Sequence, residues 1–78
     1  MDKSPLENYL YDLGTLLKSE ATDAAVQRDK SPNAQRAFHE GLALGYINVL
    51  SLMLDQAKAF NIDPAVLHLE NFDPDRLH

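Results

Sequence analysis

Gly41-Leu42-Ala43-Leu44-Gly45-Tyr46-Ile47-Asn48-Val49-Leu50-Ser51-Leu52-Met53-Leu54 is the stretch that decides the fold. It has no charge, and its only strongly polar side chains are Asn48 and Ser51. With Asp55 and Lys58 these fall at steps of three, four and three, one narrow polar stripe on a helix. The apolar positions occupy the rest of the circumference. Phe38, Leu42, Gly45, Val49 and Leu52 make one seam, and Leu42, Tyr46, Leu50, Met53, Ala57 and Phe60 make a second beside it. Ala43, Ile47 and Leu54 widen the apolar arc further. A helix lying on a single core needs an apolar arc of little more than ~100°. This one demands more cover than one neighbour supplies.

The limits of this helix follow from its flanks. Upstream, Ser31-Pro32 pairs a capping residue with a proline suited to the first helical position. Downstream, Asn61 suits a left-handed residue after Phe60, Ile62 can fold back on the last turn, and Asp63-Pro64 forbids continuation. The pattern predicts a helix over about 32–60.

Before it, Ser4-Pro5-Leu6-Glu7 has the parts of a capping box. Leu6, Tyr9, Leu10, Leu13, Leu16, Leu17, Ala21, Ala24 and Ala25 then run at three-and-four spacing, predicting an amphipathic helix over about 5–28. The stripe ends in alanines, which let a partner helix approach closely there. Gly14 interrupts it, as a point of close packing or a slight bend. The short connection makes the two helices antiparallel neighbours. Asp63 caps a short third helix over about 64–69, and 70–78 is an irregular acidic tail. The expected fold is all-α: a single domain over 1–78, a helical hairpin with a short C-terminal helix, dimerising into a four-helix bundle.

Composition bounds the function. The chain has 78 residues, enough for one small core, and no cysteine to staple it or bind a metal. Chains of this size often lean on a partner. The net charge is −5, with the C-terminal segment the most acidic part. No Lys/Arg cluster is present to neutralise phosphates, which argues against nucleic-acid binding. No secretory signal is evident at Met1–Pro5, and the longest apolar run falls short of the ~20 residues that span a bilayer. A cytoplasmic protein without a membrane role is the expectation.

Chemistry is thinly represented. His39-Glu40 lacks ligands three or four residues away on the same face, so His39 reads as a solvated histidine rather than a metal ligand. His68, Glu70, Asp73, Asp75 and His78 are dense but match no zinc or calcium spacing. No cysteine nucleophile, glycine-rich phosphate loop, His-Glu-x-x-His or Glu-x-x-His pattern is present. The expectation is a non-enzymatic protein with no cofactor. Asn48 reads as part of the exposed stripe, against the alternative that a lone amide sets helix register.

The excess apolar surface is instead the functional signal. Self-association about a two-fold axis makes the second helix its own complement. The expected dimer interface is Phe38, Leu42, Gly45, Tyr46, Val49, Leu50 and Met53, with Gly41-x-x-x-Gly45 allowing close approach. A further, unidentified protein partner would meet Tyr11, which lies off the main stripe, or Leu69, Phe72 and Leu77 near the C-terminus. The leading reading is a homodimeric protein-interaction module. Two alternatives stand beside it: an acidic inhibitor, antitoxin-like or phage-encoded, covering a basic surface, and a small-molecule carrier with a cavity between helices.

Overall fold

The computed structural model describes residues 4–74. Two long helices form an antiparallel hairpin, α1 over Pro5–Lys30 and α2 over Asn33–Ala59, followed by a single 3₁₀ turn over Pro64–Leu67. The all-helical hairpin is thus as expected, with the short third helix reduced to one tight turn.

Local chemistry explains each boundary. Ser4 Oγ accepts from the Glu7 backbone N–H at 3.1 Å, and Glu7 Oε1 accepts from the Ser4 N–H at 3.3 Å. This is the reciprocal capping box, with Pro5 at the first position where no backbone donor is missed. The interhelical connection corrects one expectation. Ser31 does not cap α2; it closes α1, its hydroxyl donating to the Gln27 carbonyl at 2.6 Å. Pro32 then stands at the start of α2, which has no side-chain cap. The turn is so short that one residue must serve one end, and the serine satisfies the carbonyls it is already beside.

The end of α2 is a Schellman arrangement. Asn61 adopts φ 56°, its N–H reaches the Lys58 carbonyl at 3.2 Å, and Ile62 N–H reaches Ala57 at 2.7 Å. Asp63 Oδ1 accepts from Ala65 N–H at 3.0 Å and starts the 3₁₀ turn. His68, also left-handed at φ 56°, ends it. Leu69 N–H returns to Pro64 at 3.0 Å.

The core is narrow. Ala21, Leu50, Ala57, Leu67 and Leu69 are buried together, with Leu10, Leu17, Tyr46, Met53, Leu54 and Phe72 packed partly around them. Ala24, Ala25, Ala43 and Ile47 are buried as well. The alanine-rich end of α1 does permit a close approach, since Ala21, Ala24 and Ala25 are all covered. On α2 the buried residues Ala43, Ile47, Leu50 and Ala57 fall at four, three and seven, one line of the helix. His39 lies one turn before Ala43 on that line. It is therefore half-buried rather than solvated, its Nδ1 enclosed without a hydrogen-bond partner and its ring edge-on to Phe38.

The segment from Ile62 to Phe72 acts as a strap over one face of the hairpin, mostly against α1. Gly14 is the reason it fits: a Cβ there would overlap the Leu67 carbonyl oxygen. Gly14 thus marks close packing. Beside it the rings of Tyr11 and His68 stack, with centroids 4.3 Å apart and planes at 6°. Thr15 Oγ1 donates to the Tyr11 carbonyl at 3.0 Å and meets His68 Nδ1.

An uncovered apolar face

The strap leaves the other face of the hairpin bare. Tyr11, Gly14 and Thr15 face the strap, so helix geometry turns Leu6, Tyr9, Leu13 and Leu16 toward the opposite flank of α1. Leu6, Tyr9 and Leu16 are exposed there. On α2, Phe38 is 67 % exposed, Leu52 61 % and Phe60 71 %, with Leu42 and Val49 also exposed. Gly41 and Gly45 lie open between them, with no neighbouring atom near where a Cβ would stand. The molecule measures 48 × 23 × 16 Å.

Two open depressions adjoin the exposed row of α2, the first of them bounded in part by the strap residues Ile62 and Leu67. One, of about 320 Å³, is lined by Leu10, Leu52, Met53, Gln56, Ala57, Phe60, Ile62 and Leu67. The other, of about 340 Å³, lies between Leu17 and a wall of Gly41, Leu42, Gly45, Tyr46 and Val49. Both are shallow, apolar and open to solvent, and Gln56 is the one amide at the rim of the first.

Several sequence expectations change against this geometry. Of the seven residues expected at a dimer interface, Phe38, Leu42, Gly45 and Val49 are exposed, and Tyr46 and Met53 are partly so. Leu50 is not available: it is 0 % exposed, in the centre of the chain's own core, because α1 covers its side of α2. Among the residues expected to bind a partner, Tyr11 is held by His68, Leu69 is 1 % exposed and Phe72 packs against the core. The strap folds back on α1, which spends these side chains internally. Leu77 lies outside the described residues. The residues that the sequence reading missed are Leu6, Tyr9 and Leu16, assigned to the helix–helix stripe. Their stripe is wider than one helix contact can cover, which is the signal that distinguishes them.

No protein-family model matches this chain, and no curated protein or solved structure is similar to it at a significant level. Function therefore rests on the geometry.

Chemical sites are sparse among the described residues. No group of three or more His, Asp or Glu side chains converges there. Although the uninterrupted apolar run is short, α2 as a whole is long and apolar enough, by length and composition, to cross a membrane, with a mean hydropathy of 1.3 over its most apolar window. Only 17 % of that window is buried within the chain. The same property that passes the membrane test is the uncovered surface.

Proposed function

We propose that this protein is a non-enzymatic association module whose working unit is a homodimer, joined through the face of the hairpin opposite the strap. The observation that carries the reading is the row Phe38, Leu42, Val49 and Leu52, exposed on a helix whose opposite side is already packed. Eight large apolar side chains, Leu6, Tyr9, Leu16, Phe38, Leu42, Val49, Leu52 and Phe60, are exposed, more than the scattered single apolar residues of an ordinary monomer surface. Closing two such faces on each other makes a four-helix bundle with the α2 helices at its centre.

Support for a protein rather than a lipid partner comes from the rest of α2. The helix carries the stripe Asn48, Ser51, Asp55 and Lys58 along its length, with Asn48, Asp55 and Lys58 exposed. It is also packed against α1, whose outer side displays Asp12, Glu20 and Asp23. Inserting this hairpin in hydrocarbon would strand those groups. A basic patch that would bind anionic lipid is absent among the described residues of the bare face. The depressions, being open, suit an inserted side chain better than an enclosed small molecule. Sedimentation equilibrium of the full chain at micromolar concentration tests the proposal: a dimer is expected, and a clean monomer would overturn it.

A further inference from the structure

We infer that the two copies pair with their α2 helices antiparallel, and that Phe38 of each inserts into the depression near the C-terminal end of the other's α2. This rests on the dimeric reading above and adds the register. The bare row of α2 runs Phe38, Leu42, Gly45, Val49, Leu52 and Gln56, alternating steps of four and three. That alternation is the seam of a paired helix, in which each residue of one helix meets a gap in the other. It is offset from the row Ala43, Ile47, Leu50 and Ala57 that faces α1, so the two contacts do not compete.

The row carries a knob at one end and a socket at the other. Phe38 projects near the start of α2, and its one aromatic neighbour is the adjacent His39. The socket is the depression walled by Leu10, Leu52, Met53, Phe60 and Ile62, with Gln56 at its rim. Knob and socket lie some 18 residues apart on one straight helix, roughly 27 Å. One protomer therefore cannot satisfy itself. A two-fold axis can, because whatever residue i does to residue j in one direction, j receives in the other.

The register follows from matching layers. With the axis beside Ile47, antiparallel helices set Phe38 against the partner's Gln56, Leu42 against the partner's Leu52, and Gly45 against the partner's Val49. Leu42 then meets the partner's Leu52, Val49 meets the partner's open Gly45, and Phe38 stands beside Gln56 where the partner's socket opens. No Cβ stands at Gly45 and nothing else fills that space, so the partner's Val49 has room. Gln35 falls against the partner's Ala59 in the same register. Parallel pairing is worse on each count. It opposes Phe38 to Phe38 and Gly45 to Gly45, leaving a void at the middle and the socket without a knob. The seam has no charge from Gly41 to Leu54, so nothing electrostatic opposes either direction, and packing decides.

The absence of cysteine makes the test direct. Gln35→Cys and Ala59→Cys each introduce a single thiol at an exposed position of α2. After treatment with a short bis-maleimide, the mixed proteins are expected to give a covalent dimer on a denaturing gel, and each protein alone is expected to give none. Self-linking of the Gln35→Cys protein would show parallel pairing and overturn the register. A protein that sediments as a dimer yet links in neither experiment would also overturn it, since the interface would lie elsewhere. A wild-type monomer in sedimentation would instead remove the dimeric reading itself. As a second line, Phe38→Glu, at a position with no core contact, is expected to keep the helical circular dichroism and raise the dimer dissociation constant tenfold or more. An unchanged dissociation constant would remove the knob from the proposal.

Discussion

The carbonyl oxygen of Leu67 occupies the space that a side chain on Gly14 would fill. This one contact lets the strap lie flat on α1 and brings Leu67 and Leu69 into the core. A glycine inside a helix costs about 1 kcal/mol relative to alanine in an isolated helix, so propensity alone favours replacement. Packing opposes it. Gly14→Ala is expected to destabilise the fold by about 1–3 kcal/mol, the usual range for overfilling a packed site. Thermal unfolding measures the net sign; an increase in melting temperature would show that the strap does not sit on Gly14.

His68 ends the 3₁₀ turn in the left-handed region and also stacks on Tyr11. The two roles separate by substitution. His68→Gly loses the ring contact but relieves the backbone, whereas His68→Ala loses the ring and keeps a backbone disfavoured by about 1–2 kcal/mol. The alanine variant is expected to be the less stable of the pair by about 1 kcal/mol in denaturant titration. Equal stability would mean that the left-handed backbone at 68 is not maintained.

Leu50 and Leu52 are near neighbours in sequence on the same helix, yet one is enclosed and the other 61 % exposed. Leu50→Ala is expected to cost about 2–5 kcal/mol through the cavity it leaves. Leu52→Gln removes no core contact of the protomer. In the dimer proposed above its expected effect is on association, seen as a dissociation constant that rises while the stability of dilute monomer moves by no more than ~0.5 kcal/mol. Comparable losses of monomer stability from both would contradict the division of α2 into an inner and an outer side.

Ser4→Ala removes one half of the capping box, the hydrogen bond to Glu7 N–H. The expected cost is about 0.5–2 kcal/mol. Amide hydrogen exchange localises it: the loss of protection should be greatest in the first turn of α1, and a uniform change along the helix would argue that the cap is not formed.

Much of the hairpin was legible in order. The capping box at Ser4 and the stop at Asn61 rest on interactions within a few residues, so they need no tertiary context. The same local logic misplaced Ser31, because a residue between two helices has two ends within reach. The site was legible in outline only. Phe38, Leu42, Gly45 and Val49 stand on the uncovered side as their spacing suggested, but Leu50 belongs to the second seam, and spacing does not say which seam faces α1. Tyr11, Leu69 and Phe72 looked available because their contacts cross from the C-terminal segment to α1.

Periodicity and turn chemistry by themselves determined that two helices form, where the first begins and the second ends, and that α2 carries more apolar surface than α1 can cover. Those are consequences of bonds and side-chain directions set within one or two helical turns. Which side of α2 is spent inside the chain, and which is left over, was decided only by its packing against α1 together with the strap docked on Gly14. That choice depends on contacts between residues some 50 positions apart, and steric fit at that range leaves no periodic trace along the chain.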